Sequence, residues 1–531
     1  MSDDAQLIRS SSVMALGTII SRVTGLVRNL LLVAVLGTAL LGDTYNVANT
    51  MPNILYNLLV GGALTAVFVP QIIRASRETD RGSAYISRLF TATSTALLLI
   101  VVVAILLAPL LVHLYAPSFS GRSFDITVAF MRYCLPQIFF LGIFALLGQI
   151  ANARGIFGPM MWAPILNNLT AIALFSYFLI SVTSLDFAGI SNSQVELLGV
   201  GTTLGIVAQA LVLLPVLKRS GVSLRLRFDW RGVGLGKSLR LASWTFLFVL
   251  ISQIGYLITV NLATRTSVAA IGEGISYGVG YTPYSNAYLI LLLPHSIITI
   301  SVVTALLPKL SELAIDKKLA ELREQIVKAI RLVGIVTVPS AFFFLFFGPL
   351  IAQVLFFGIS ESDAGFIGKV LAGFALAAIP LSLNLIAIRG LNAFENTKSQ
   401  VISNLLINAV SIGFSLIACL TLPTELITVG LAGAFTLSYW IGTALSFRLL
   451  ARHSGTISTV EYRKLYLLLA LISLLIFIPL RLLVRADLIP GGNIVSLLIV
   501  IAVADFAFLG LAKLFKINEV AQTVKLILRR K

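Results

Sequence analysis

Long apolar runs alternate with short charged connectors along the whole chain. Fourteen runs reach the roughly 20 residues that a helix needs to cross a bilayer, at 12–36, 46–73, 88–115, 128–153, 160–183, 196–217, 238–263, 280–307, 328–356, 367–391, 400–421, 427–450, 464–484 and 493–513. The runs are continuous rather than alternating, which predicts helices and not the strands of a barrel. The fold class expected is an all-α polytopic membrane protein.

The connectors alternate in charge. One set holds Arg74, Arg77, Arg81 and Arg88, then Lys218, Arg219, Arg225, Arg227 and Arg231, then Lys309, Lys317, Lys318, Arg323 and Lys328, then Arg448, Arg452, Arg463 and Lys464. The other set is poor in cations, with Arg122, Arg265, Lys369, Arg481 and Arg485 among Asp125, Asp186, Glu273, Glu361, Asp363, Glu425 and Asp487. The positive-inside rule puts the first set in the cytoplasm. An even span count puts both termini there as well, in a multi-pass membrane protein. Asp3 and Asp4 stand where a cleavable signal would have basic residues, so the first run is expected to be a retained span.

Composition removes the competing classes. Of 531 residues, 58% are hydrophobic and 11% charged, against roughly a quarter charged in a soluble domain. Mean hydropathy is +0.98, too high for a soluble globule or a disordered chain. The net charge of +17 sits between apolar runs, so membrane orientation accounts for it and nucleic-acid binding does not. Cys134 and Cys419 lie in apolar stretches and form neither a disulfide framework nor a metal set.

A weak repeat recurs at an offset of about 240. Asn152-Ala153 returns as Asn392-Ala393, and Asn168 as Asn408. Ala66 through Pro70 resembles Thr304 through Pro308. An even number of spans per copy implies a pseudo-two-fold axis along the membrane normal. The expected organisation is a six-helix lobe at 1–217, a basic cytoplasmic linker at 218–237, a second six-helix lobe at 238–455, and two further helices at 456–513. A cytoplasmic amphipathic tail at 514–531 carries Ile517, Val520, Val524, Ile527 and Leu528 on one face. Such a duplication places a substrate cavity between lobes that rock in alternating access.

Polar residues inside spans are the candidate chemistry. Arg22 and Arg28 interrupt the first span, and no acid in that span neutralises them. Ser21, Gly25 and Arg28 share a helical face, and Asn29 follows. Arginine suits bidentate phosphate contacts, so an anion in a cationic cavity is the functional reading. Pairing with Asp43 or with helix-end carbonyls is the structural one. The second span has Asn46, Asn49, Asn53 and Asn57 at spacings that form one amide stripe, with Tyr45 and Tyr56 beside it. Amides and phenols bond sugar hydroxyls or peptide groups, and equally bond neighbouring helices. Tyr277, Tyr281, Tyr284 and Tyr288 share a face of the eighth span, as an aromatic belt or as a sugar-stacking wall. Pro294 predicts a kink there, and His295 reads as a packed residue. Ser252, Gln253 and Asn261 are a weaker polar set in the seventh span. No phosphate-cradling loop or hydrolase motif is present, so a transporter without catalytic residues, metal or cofactor is expected. The membrane potential or an ion gradient would drive it.

The segment SRVTGLVRN, followed by GDTYNVANTMPNILYNLLVGGALTAVFVPQI, resembles the start of the MurJ/MviN family of lipid II flippases. That family falls in the multidrug/oligosaccharidyl-lipid/polysaccharide exporter superfamily. The matching residues are Ser21, Arg22, Gly25, Arg28, Asp43, Pro52-Asn53, Gly62-Ala63 and Phe68-Val69-Pro70, with Asn167-Asn168, the stretch ending at Pro308 and RGLNAFENTK at 389–398 further on. The resemblance implies fourteen helices and a lipid II substrate whose pyrophosphate meets Arg22 and Arg28. It implies peptidoglycan biosynthesis, hence cell shape, with lipid II, membrane lipids and cell-wall synthesis proteins as partners of a monomer. It also places Asp43 where it can compete for an arginine. The chain departs from the family pattern in three places: Asn29 replaces an acid, Tyr56 and Asn57 replace an arginine pair, and Tyr288-Leu289 lie where many members carry arginine. The alternatives are a flippase for another polyprenyl-linked saccharide and a cation-coupled small-molecule exporter.

Overall fold

Helices start and stop where the charged connectors and prolines dictate. A computed structural model describes residues 3–58, 82–182, 185–222, 224–229, 235–458, 460–489, 491–517 and 519–520. Among these residues there are nineteen α-helices and no strand. The first nine are α1 (Asp3–Leu36), α2 (Leu40–Tyr56), α3 (Ser83–Leu106), α4 (Ala108–Tyr115), α5 (Arg122–Cys134), α6 (Gln137–Ala153), α7 (Gly158–Ser181), α8 (Asn192–Leu211) and α9 (Leu213–Arg219). Then follow α10 (Leu235–Gly272), α11 (Tyr281–Pro294), α12 (Ile300–Ile315), α13 (Leu319–Leu355), α14 (Glu361–Phe374) and α15 (Ala378–Ala393). The last four are α16 (Thr397–Thr421), α17 (Thr424–Ser454), α18 (Val460–Arg485) and α19 (Gly492–Leu514).

Thirteen candidate membrane spans lie among the described residues, and they fall on thirteen of the fourteen expected runs. The remaining run, 46–73, begins in α2 at Leu40 rather than at 46. Its part beyond residue 58 lies outside the described residues. So do Gly61-Gly62, the 66–70 copy of the repeat and the tail beyond Val520. Several spans are two helices in series. Pro109 starts α4 after a break at Leu107, and Pro136 caps α6. Proline has no N–H to continue the ladder, so the chain re-nucleates there. The expected kink after Pro294 takes the form of a π-helical turn at His295–Thr299. His295 is buried in it and bonds Ser382 Oγ at 2.9 Å.

The chain divides into two compact units, 1–268 and 269–531. Each repeats one local turn. In the first unit, Ile156 N–H donates to Ala151 O and Gly155 N–H to Asn152 O, closing α6 on Gly155 at φ +76°. In the second, Asn396 N–H donates to Leu391 O and Glu395 N–H to Asn392 O, closing α15 on Glu395 at φ +54°. Both are Schellman caps. The Asn side chains then reach eight residues on, Asn152 to Met160 Sδ and Asn392 to Gln400. Gly155 and Glu395 are 240 residues apart, the offset of the repeat in the letters.

Residues 224–229 of the expected linker lie against α3. Arg225 and Arg227 donate their N–H groups to Ser87 Oγ and Thr91 Oγ1 of α3, at 3.3 and 2.9 Å. Arg88 bonds Asp229 at 2.7 Å. That bond holds the exposed Asp229 carboxyl below the usual carboxylate range.

Candidate functional site

The first unit packs α1 against α7 through small residues. A Cβ on Gly17 would stand 2.7 Å from the Trp162 indole nitrogen. A turn or two later, Asn168 Nδ2 donates to Ser21 O at 2.9 Å and to Thr24 Oγ1 at 3.0 Å, and Gly25 faces the same amide. The face shared by Ser21 and Gly25 is therefore a packing face, closed by an amide that satisfies backbone exposed by the small side chains. Asn168 entered the sequence argument only as a repeat marker and a family match. Its place opposite two turns of α1 is a tertiary fact.

Arg22 and Arg28 are half-buried on this helix. Six residues of helix rise separate them by about 9 Å along the axis. Among the described residues neither makes a hydrogen bond or an ion pair. Arg28 stands within electrostatic range of the Tyr45 hydroxyl on α2. Tyr45 is buried edge-on to Phe130 of α5, with ring centres 5.4 Å apart. Its hydroxyl and the Cys134 thiol both lie near Thr202 of α8, whose own hydroxyl donates back to Leu198 O at 2.9 Å.

A second branch runs parallel. Gln137, 2% exposed, donates to Asn49 Oδ1 at 3.2 Å and to Thr203 Oγ1 at 3.1 Å. Thr203 donates to Tyr133 O at 2.8 Å. The two branches make one polar seam across α2, α5, α6 and α8, ending at Arg28. Sequence reasoning missed Gln137, Thr202 and Thr203. An amide directly after Pro136, where α6 restarts, was the available signal.

The amide stripe splits along its length. Asn49 is tied to Gln137, Asn46 is half-buried and bonded, and Asn53 and Asn57 are exposed. Tyr56 is half-buried and Asn29 is half-buried with a partner. Asp43 is fully buried in the first turn of α2, where the helix dipole favours a carboxylate. It has a bonding partner of its own. In the second unit Tyr284 and Tyr288 join an aromatic cluster. Their rings lie 4.9 and 5.7 Å from Phe374, and Tyr288 also meets Phe435 at 5.5 Å. Both tyrosines thus have protein rings as stacking partners. Tyr277, outside the span, packs on Phe366.

The family model described as "Lipid II flippase MurJ" matches residues 32–503. The chain belongs to the lipid II flippase MurJ family. The matched stretch begins after Arg28, so family membership does not depend on the first-span arginines. Two relatives are similar over most of their length. A lipid II flippase MurJ of Burkholderia cenocepacia is 26% identical, with 82% of this chain and 81% of the relative covered. A probable lipid II flippase MurJ of Haemophilus influenzae is 24% identical, with 82% and 84% covered. A solved structure of a lipid II flippase MurJ in an inward closed conformation superposes with a TM-score of 0.76 at 20% identity, covering 96% of this chain and 99% of that one. The chain is thus a many-span transporter of a bacterial inner membrane, a lipid II flippase by family, acting in peptidoglycan precursor export.

Proposed function

We propose that the protein moves undecaprenyl-pyrophosphate disaccharide-pentapeptide from the inner to the outer leaflet by alternating access, with Arg22 and Arg28 taking the pyrophosphate. The supporting observation is the pair of half-buried arginines on α1 with no bonding partner among the described residues. An arginine at the centre of a span costs about 2.5–3.5 kcal/mol on insertion scales. A chain that keeps two of them unpaired keeps them for an anion. Pyrophosphate offers bidentate oxygens to both. Asp43, buried one short loop after α1, competes for the guanidinium once the anion leaves. Asn53, Asn57 and Tyr56 contact sugar or peptide, being the less buried end of the polar stripe. Asn49 acts instead through Gln137 and holds α2 in register. The drive is the membrane potential or an ion gradient, with no bound cofactor, and the working unit is a monomer.

Equilibrium binding of lipid II to the purified protein tests the arginine assignment. A charge-assisted hydrogen bond contributes about 1.5–3 kcal/mol, so Arg22→Ala and Arg28→Ala are each expected to raise Kd by about tenfold or more. Wild-type affinity in both variants would place the pyrophosphate elsewhere.

A further inference from the structure

The second unit holds a cavity of about 430 Å³ lined by Leu345, Phe346, Pro349, Ala372, Leu426 and Val429, with Lys369, Arg481 and Arg485 at its polar wall. It lies at one end of the unit: the late part of α13, the first turns of α17 and the end of α18 meet there. The opposite end collects Lys317, Lys318, Arg323, Lys328, Arg331, Arg448, Arg452, Arg463 and Lys464. There Arg323 bonds Ser454 O at the end of α17, and Arg331 bonds Glu519. The cation-rich end is the cytoplasmic one by the positive-inside rule. The cavity therefore opens at the level of the outer leaflet.

Three like charges meet at that wall. Arg481 and Arg485 stand four residues apart on α18, on one face and within electrostatic range of each other. Like charges at that spacing repel. No acid lines the cavity. Among the described residues none of the three cations makes a hydrogen bond or ion pair. Arg481 is half-buried, while Lys369 and Arg485 are exposed. The nearby acid Glu425 is exposed, does not line the cavity, and stands within electrostatic range of Tyr277. The remaining wall is apolar, and Leu345 and Leu426 are 37% and 43% exposed on it, facing hydrocarbon in a spanning protein.

We propose that this cavity binds an anionic phospholipid of the outer leaflet, its phosphate on Lys369, Arg481 and Arg485 and its upper acyl chain on Leu345, Phe346 and Leu426. A soluble phosphate would use the cations and leave the apolar wall idle. A neutral lipid would use the wall and leave three cations facing one another. An anionic lipid uses both, as basic pockets between membrane helices do. The site is separate from the first-span arginines and rests only on the membrane orientation above.

Native mass spectrometry of the full chain, released from nanodiscs of mixed phosphatidylglycerol and phosphatidylcholine, reads the site. Wild type should retain phosphatidylglycerol in preference. Lys369→Gln, Arg481→Gln and Arg485→Gln should each weaken that retention by about fivefold. The triple variant should lose the preference while keeping wild-type lipid II affinity. Leu345→Trp fills the cavity with all charges intact, and should lose the lipid even where a charge variant fails to fold. Equal retention of the two lipids by wild type overturns the proposal. So does undiminished phosphatidylglycerol on the triple variant or on Leu345→Trp. Loss of lipid II affinity with phosphatidylglycerol unaffected assigns the cavity to the substrate instead and also overturns it.

Discussion

At the scale of single residues, the two arginines are half-buried mid-span with no bonding partner among the described residues, whereas Arg132 and Arg265, equally without one, are exposed. Guanidinium geometry, more than charge, is what a pyrophosphate uses. Arg28→Lys should therefore lose most of the lipid II affinity that Arg28→Ala loses, although it keeps the charge. Binding equal to wild type in Arg28→Lys would mean that charge alone acts there. The small residues beside them make a sharper structural prediction. A Cβ at Gly25 meets the Asn168 amide at 3.5 Å, an ordinary contact, while one at Gly17 meets the indole of Trp162 at 2.7 Å. Gly25→Ala should be nearly neutral in a thermal melt. Gly17→Ala should cost about 1–3 kcal/mol, the range for overpacking.

At the scale of elements, the helix ends carry the strain. Lys317, Glu395, Asp487 and Lys516 have positive φ, and each closes a helix in the same capping pattern that Gly155 closes without strain. Glu395→Gly should stabilise by up to about 1 kcal/mol, the left-handed cost of about 1–2 kcal/mol less the roughly 0.5–1 kcal/mol of extra backbone entropy that glycine loses, and Gly155→Ala should destabilise by a similar amount. Matched denaturation of the two variants checks both signs. Helices α13 and α14 cross backbone against backbone, where a Cβ on Gly368 would fall 2.2 Å from Pro349 Cα. Backbone cannot step aside as a side chain can, so Gly368→Ala should lower the melting temperature more than Gly17→Ala does.

Helix positions were legible because hydropathy is a property of runs, and fourteen runs are hard to misplace. The breaks were legible only in part. Pro294 announced its kink, but Leu107 and Pro136 lie inside continuous apolar stretches and split them unannounced. Seam residues such as Gln137 and Thr203 were illegible for a different reason. An uncharged polar side chain in a span carries no signal of its own until its partner on another helix is known. The two arginines stood out because a charge in hydrocarbon is costly enough to demand a partner or a ligand.

At the scale of the molecule, each unit ends in a basic cap, and the linker between the expected lobes is tethered by its own chemistry. Residues 224–229 lie along α3 on two N–H bonds to the Ser87 and Thr91 hydroxyls and on the Arg88–Asp229 pair. The folded carboxyl of Asp229 titrates below its free value, with the Arg88 hydrogen bond as the leading cause. A depressed carboxylate favours the docked form above the free pKa, and that preference is lost as pH falls through the lowered one. Docking should therefore persist at neutral pH and weaken in acid or high salt. Asp229→Asn should remove the pH dependence and speed amide exchange at Arg225 and Arg227. Exchange at those two amides that ignores both the variant and pH would show that the pair does not hold the linker.

The most direct test of the central claim is made in the protein's own cells. The protein is depleted, lipid II is assayed on each leaflet, and export is restored with wild type, Arg22→Ala or Arg28→Ala. Lipid II should accumulate on the inner leaflet, and only wild type should clear it. Unchanged lipid II on both leaflets after depletion would contradict transport by this chain, and full rescue by both variants would contradict the arginine site.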